Sequence, residues 1–355
     1  MRAALTKDAT MVVTEVPDPV PQAGQLLIRT LACGICGSDL HALADPDAFM
    51  ETTRRSGGTP YDPRDGLVFG HEFAGEIVSY GPETQRTLPE GTVVCGPPIG
   101  IGPQGAGIIG YTPMYPGGYG EYMILNEGLT HAVPEGLDPK VAAITEPFAV
   151  ATRAVERSGI SEGDVALVLG LGPIGLGTVA ALKARGHGPV LAADFSPRRR
   201  ALAEGLGADA VIDPAAESPF GRWADLGVAS SLVERIASQL LGTEVRGAVI
   251  YECVGVPGML QQVIEGAPAG GTIMVVGVCM QPDRLEPGVA VSKELSILSS
   301  FGAYPAEYGA TLAAIGDGRI DAGSIITGTV GLDGVAQAFT DLADPEVHAK
   351  IVVQC

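Results

Sequence analysis

Residues 165–195 read VALVLGLGPIGLGTVAALKARGHGPVLAADF, and how this stretch is divided decides the fold. Taken whole, residues 165–182 carry no charge over a length close to a membrane span. The stretch divides better into separate elements. VALVLG is a compact β-rich run, GLGPIG is turn chemistry, and GLGTVAALKARG resumes as an alanine-rich helix, with VLAADF as the next strand. Gly170, Gly172 and Gly175 then form GxGxxG between a strand and a helix. In that context the first glycine permits a tight turn, the second lets backbone approach a pyrophosphate, and the third lets helix and strand pack closely. The phosphates would face the helix N-terminus. Asp194 stands at the end of the following strand, where a carboxylate accepts hydrogen bonds from ribose hydroxyls and repels a 2′-phosphate, so NAD is expected over NADP. Arg198, Arg199 and Arg200 argue the other way, since an arginine there accommodates a 2′-phosphate. Their plainer reading is the solvated first turn of a helix capped by Ser196 with Pro197 at its first position.

Around this core the chain changes rhythm. From about residue 150, strands alternate with helices through VALVLG, VLAADF, AVI, AVIYECVG and TIMVVGV, the signature of βαβ units and a parallel sheet. Residues 1–149 instead show short strand-like runs such as QLLIRTLA, FAGEIVSYG and EYMILN between proline and glycine clusters, an irregular β-rich domain with few helices. ITEPFAVATRAV is a helical stretch at the junction. Residues 303–355, with a helix at AEYGATLAAIGDGRI and a strand at AKIVVQC, are too short for a third domain and are expected to return to the first. The expected class is therefore α/β, with a β-rich domain over 1–149, a doubly wound parallel-sheet domain over 150–302, and the return over 303–355.

Bulk properties narrow the partners. The 355 residues are 46% hydrophobic, enough for two cores, and the formal charge of -19 repels nucleic acid and anionic lipid surfaces. The N-terminus lacks a basic segment followed by a long apolar run, so a cytoplasmic protein is expected. Six scattered cysteines, at 33, 36, 95, 253, 279 and 355, suit free thiols or metal ligands in a reducing compartment.

The densest chemistry is CGICGSDLH, residues 33–41. A structural zinc knuckle needs a second CxxC, which this chain lacks, and a thioredoxin-like pair would open a helix in a simple βαβ chain. A catalytic metal remains. GHEFAGEIV supplies His71 and Glu72, and TEPFAV supplies Glu146. A thiolate with an imidazole suits zinc, a carboxylate can add a ligand, and one position stays open for water or substrate.

Taken in order, CGICGSDLH, GHEFAGEIV, TEPFAV, GLGPIG with Asp194, ECVG, VVGV, DGRID and AKIVV resemble the zinc-containing medium-chain alcohol dehydrogenase family over essentially the whole chain. The resemblance implies a GroES-like catalytic domain split by a Rossmann coenzyme domain, with the active site in the cleft between them. It implies that Cys36 and His71 are zinc ligands, that Glu72 joins or exchanges at the metal, and that Glu146 is the acidic third ligand of the polyol and secondary-alcohol branches. Ser38 resembles the hydroxyl that bonds the substrate oxygen, His41 the histidine that passes the proton to solvent, and Asp39 the carboxylate that fixes a zinc-bound imidazole. Ser38 and Asp39 have a plainer reading as caps of a helix beginning near Leu40. The cofactor would lie along Gly170, Gly172, Pro173, Ile174, Gly175, Asp194, Arg199, Val254, Val276 and Gly277. Cys33 is expected as a buried neighbour of the metal. Two departures stand out. Where many relatives carry four closely spaced cysteines for a structural zinc, residues 95–120 offer Cys95 alone, so one zinc per subunit is expected. The long gap between Cys36 and His71 resembles the insertion of butanediol dehydrogenases. The implied activity is hydride transfer between NAD(H) and a secondary alcohol, diol or polyol and its ketone, in a homo-oligomer, dimer or tetramer. The alternatives are an NADPH-dependent zinc carbonyl reductase and a non-catalytic, cofactor-binding relative of the family.

Overall fold

The computed structural model describes residues 1–8 and 10–355. It separates into two compact units, one of Met1–Glu146 with Ala303–Cys355 and one of Pro147–Gly302.

The second unit is built on a six-stranded parallel sheet. Across the sheet the strands run Ala210–Ile212, Val190–Ala193, Val165–Leu169, Ala248–Glu252, Thr272–Val275 and Ser296–Ser299. The chain starts in the middle, winds outward one way, then returns and winds the other, the order of a dinucleotide-binding sheet with its switch point beside Val165–Leu169. Every residue of Val165–Leu169 and Ala248–Glu252 is buried. That explains continuous apolar runs where an antiparallel sheet would alternate. The uncharged stretch does divide: its strand ends at Leu169 and the helix Pro173–Ala184 begins after the glycine turn, with Gly172 at the N-cap and Pro173 in the first turn. Among the described residues no helix is long and apolar enough to cross a membrane.

The first unit is β-rich. Its seven-stranded sheet centres on Gln25–Gly34, which pairs antiparallel with Glu72–Tyr80, Tyr122–Asn126 and the C-terminal strand Lys350–Gln354. Gln25–Gly34 alternates buried and less buried positions until its last three residues, all buried, which deliver the chain into the CGICG segment. Helices are more frequent here than the sequence suggests. Gly37–Ala44 begins three residues before Leu40, with Cys36 as N-cap, and Pro46–Arg55 follows inside the long insertion. The second of these has Asp45 as its cap, accepting from the Ala48 backbone N–H, but buries none of its residues. Its Phe49 packs half-buried against the core of the first unit.

Candidate metal and cofactor sites

The candidate metal site lies where the central strand of the first unit ends. Cys36 closes the turn after Gly34 and caps the helix Gly37–Ala44, while His71 and Glu72 lie at the start of the neighbouring strand Glu72–Tyr80. Pairing of Gly34 with Glu72 across these two strands sets both ends side by side. One ligand atom each from Cys36, His71 and Glu72 falls within 4.8 Å of the others. Gly34 is required for this approach, because a Cβ there would sit 2.0 Å from Glu72 Oε2.

The charges around the cluster are buried and paired. Lys350, 1% exposed, donates to both Glu72 oxygens at 2.7 and 2.8 Å and to the Ile35 carbonyl at 2.8 Å. Burial alone would lower its pKa, yet the Glu72 carboxylate holds it above the ordinary lysine value. Asp39 is wholly buried and accepts from the Tyr119 hydroxyl at 2.7 Å, from Tyr111 at 2.7 Å, and from the Cys36 backbone N–H at 3.4 Å. Burial opposes its charge, but the His71 charge and these hydroxyls outweigh it and leave the carboxyl below its usual range. Burial likewise opposes a proton on His71, and the Asp39 and Cys36 charges prevail, raising it well above the ordinary imidazole value. Burial pushes the Glu146 carboxyl up to about 7, with His71 opposing and Glu72 adding to the rise.

These features fit a cation. His71 Nδ1 is buried without a hydrogen-bond partner and lies 3.5 Å from Asp39 Oδ1, too long for a well-formed bond. A metal on the other ring nitrogen would leave Nδ1–H to donate to that carboxylate, the arrangement that orients metal-bound imidazoles. A thiol, an imidazole and buried carboxyls around one lysine form a borderline-soft donor set with an excess of acid.

The structure brings Cys36, His71 and Glu72 together, with Asp39 behind the imidazole. Glu146 is outside that set of atoms, but its ionisation is coupled to His71, Glu72, Lys350 and Asp39. Ser38 donates to Cys36 Sγ at 3.1 Å, and His41 is exposed on the next turn of the same helix. Cys33 is fully buried, its thiol pushed well up by burial.

In the second unit the glycine turn has three distinct environments. Gly170 adopts a left-handed φ of 83° against Val254, Gly172 faces open space, and a Cβ on Gly175 would sit 1.8 Å from the Gly170 carbonyl oxygen. Ile174 and Pro173 lie in the first helical turn. Asp194 accepts from the Leu171 N–H at 2.7 Å and the Ser196 N–H at 2.8 Å, which ties the strand end to the turn. Ser196 caps Pro197–Gly205 as its sequence suggests, but the arginines that follow are not simply solvated. Arg199 is 23% exposed with Nη1 3.9 Å from Asp194, and Arg200 pairs with Asp213 at 3.1 Å and donates to the Asp194 and Phe195 carbonyls. Just past the ends of the adjoining strands Ala248–Glu252 and Thr272–Val275, Val276 is buried, Val254 is exposed, and a Cβ on Gly277 would lie 2.4 Å from the Gly255 nitrogen.

Three functional neighbours escape sequence reasoning. Glu252 is buried and its carboxylate accepts from Val254 N–H and Gly255 N–H at 2.7 and 2.8 Å, fixing the loop against Gly170. Its position at a strand end before CVG is a usable signal. Lys350 and Tyr111 have no comparable signal, since their partners are remote in sequence.

Two family models match the chain, an alcohol dehydrogenase GroES-like domain over residues 22–135 and a zinc-binding dehydrogenase domain over residues 173–316. The chain is 30% identical to the (R,R)-butanediol dehydrogenase of Bacillus subtilis (strain 168) over 351 residues, covering 96% of each protein. It is 27% identical to the sorbitol dehydrogenase of the same organism, covering 96% of this chain and 92% of that one. A solved structure described as a zinc-binding dehydrogenase of Sinorhizobium meliloti 1021, bound to NADP, superposes with a TM-score of 0.79 at 27% identity, covering 100% of this chain and 99% of that one. The chain belongs to the zinc-containing alcohol dehydrogenase family, and it is an oxidoreductase.

Proposed function

We propose that this enzyme interconverts a secondary alcohol, a vicinal diol or a polyol with its ketone, using one zinc ion per subunit and NAD. The observation that carries the reading is the convergence of Cys36, His71 and Glu72 ligand atoms within 4.8 Å of one another, inside a buried acidic surround. The diol and polyol activities named for the relatives in Bacillus subtilis support the substrate class. Bound zinc supplies Lewis acidity, which lowers the pKa of a hydroxyl so that hydride can leave the carbon.

The remaining work falls to side chains. Cys36 and His71 hold the ion, and a carboxylate completes the set, either Glu72 within the cluster or Glu146 beside it. Glu72, both of whose oxygens are engaged by Lys350, joins only by sharing that lysine. Asp39 fixes the His71 ring. Ser38 takes the hydrogen bond of the substrate hydroxyl, and His41, exposed one helical turn on, returns the proton to solvent. Gly170, Gly172, Pro173, Ile174 and Gly175 receive the dinucleotide phosphates at the start of Pro173–Ala184, with Val254, Val276 and Gly277 along the cofactor. Asp194 meets the ribose hydroxyls and favours NAD; Arg199, 3.9 Å away, supports the NADP alternative, as does the NADP held by the Sinorhizobium meliloti protein. A cytoplasmic location and a homo-oligomer, dimer or tetramer, complete the proposal.

Cys36→Ala tests the reading. It is expected to remove zinc and turnover while leaving NADH affinity within about twofold, since the coenzyme binds through other residues. Retained turnover in zinc-free protein overturns it.

A further inference from the structure

The helix Leu232–Leu241 of the second unit carries its apolar side outward. It opens on a capping box, in which the Ser231 hydroxyl oxygen accepts from the Glu234 N–H and the Glu234 carboxylate accepts from the Ser230 and Ser231 N–H groups. None of its residues is buried. The side turned to the body of the unit holds Arg235, whose guanidinium donates to the Ala269 carbonyl at 3.1 Å, with the half-buried Leu232 and Ser238. Val233, Ile236, Ala237, Leu240 and Leu241 recur at the spacing of a single helical face and form one stripe on the opposite side. Val233 is 77% exposed, Leu240 83% and Leu241 78%.

Such a stripe calls for cover. A helix of 10 residues is marginal in water on its own propensity and draws its stability from packing an apolar face. Folding that face inward is blocked, because the preceding segment already fills the core of the parallel sheet: Trp223 and Val228 are buried in it, and Phe220 and Leu226 pack against it. Charge points to what provides the cover. At -19, two copies of this chain repel each other over most of their surfaces. This helix is locally neutral, with Glu234 and Arg235 as its charged residues, and both are turned back onto backbone groups. Two copies can therefore approach along it.

We propose that Leu232–Leu241 pairs antiparallel with the same helix of a second copy of this chain. With the two-fold axis between Ile236 and Ala237, Val233 of each copy opposes Leu240 of the other, and Ile236 opposes Ala237, large against small. The two Glu234 carboxylates then stand about 7.5 Å apart along the pair, from five residues at 1.5 Å each, so no like charges meet. A pair of three-turn helices covers less than the roughly 1,600 Å² of a standard interface, so this contact alone gives a concentration-dependent association. The inference rests on the homo-oligomer of the proposed function, to which it assigns a surface, and is independent of the metal site.

The test is sedimentation of the full chain at about 1–100 μM, the range in which a contact of this size associates. Leu240→Glu and Val233→Lys each put a charge on the seam at an exposed position, where folding and turnover tolerate it. The parent should gain mass with concentration. Each variant alone should have half the parent's mass at the top of the range, with turnover unchanged. An equal mixture of the two variants should recover the parent's mass, because the new lysine of one then faces the new glutamate of the other. Hydrogen exchange on the unaltered chain reads the same face without substitution, and amides of Leu232–Leu241 should gain protection as the chain associates. Unchanged protection, or a mixture that stays at the variants' mass, overturns the proposal. Variants that keep the parent's mass, above that of one chain, overturn this surface and leave the homo-oligomer standing. A parent at the mass of one chain throughout overturns both and leaves the stripe to a different protein.

Discussion

Lys350 and Glu72 are 278 positions apart and form an ion pair with side-chain exposures of 1% and 0%. Burying two charges is costly, and their geometry offsets that cost only while both are present. Replacing Lys350 with methionine, which fills similar space, leaves Glu72 charged and unpaired beside Asp39 and Glu146. Removing one partner of such a pair typically costs about 3–5 kcal/mol. The denaturation midpoint of Lys350→Met should fall accordingly, and Lys350→Met with Glu72→Gln should recover most of the loss. A single variant within about 1 kcal/mol of the parent would show that the pair is not structural. This scale also marks how far the sequence can be read. Cys36, Ser38 and Asp39 crowd one short stretch and His71 and Glu72 sit together, so a metal site among these residues was legible from residue type and spacing, while the choice of Cys36 over Cys33 came from the family resemblance. Lys350, Tyr111 and Tyr119 were not, because only the folded sheet carries them to Glu72 and Asp39.

Among the elements, the parallel sheet was the most legible. Its inner strands are buried on both faces, so each appears as an unbroken apolar run bounded by turn residues. Ser296–Ser299 was missed for the opposite reason: it is an edge strand, mostly exposed, and its four residues carry no strong pattern. Pro46–Arg55 was missed because it is short and none of its residues is fully buried, although Asp45 and Pro46 spell a helix start. Phe49 of that helix nevertheless packs at a tilt against Tyr111, so the insertion supports the wall behind Ser38. The strand–turn–helix unit carries its own prediction through Asp194, whose carboxylate closes the glycine turn by accepting from Leu171 N–H. Asp194→Ser removes the negative charge proposed to meet the ribose while Arg199 remains, so the ratio of kcat/KM for NADP over NAD should rise by at least about tenfold. An unchanged ratio in steady-state kinetics with both coenzymes would show that the carboxylate does not meet the ribose.

At the scale of the whole molecule, the two units divide the labour. Met1–Glu146 with Ala303–Cys355 carries the thiol, imidazole and buried acids, and Pro147–Gly302 carries the glycine turn and Asp194. The net charge of -19 suits a protein whose ligands are small molecules and a cation better than one that grips a polyanion. Residues 95–120 contain Cys95 alone, whose thiol is raised by burial to about 12, so this region offers no second sulfur-rich metal site. The account therefore turns on one ion with a mixed set of ligands. X-ray absorption at the zinc edge of the purified enzyme reads that set directly. The account predicts one zinc per chain with a single sulfur neighbour at about 2.3 Å and the remaining neighbours nitrogen or oxygen at about 2.0–2.2 Å. A zinc with no sulfur neighbour, or with two or more, would contradict it.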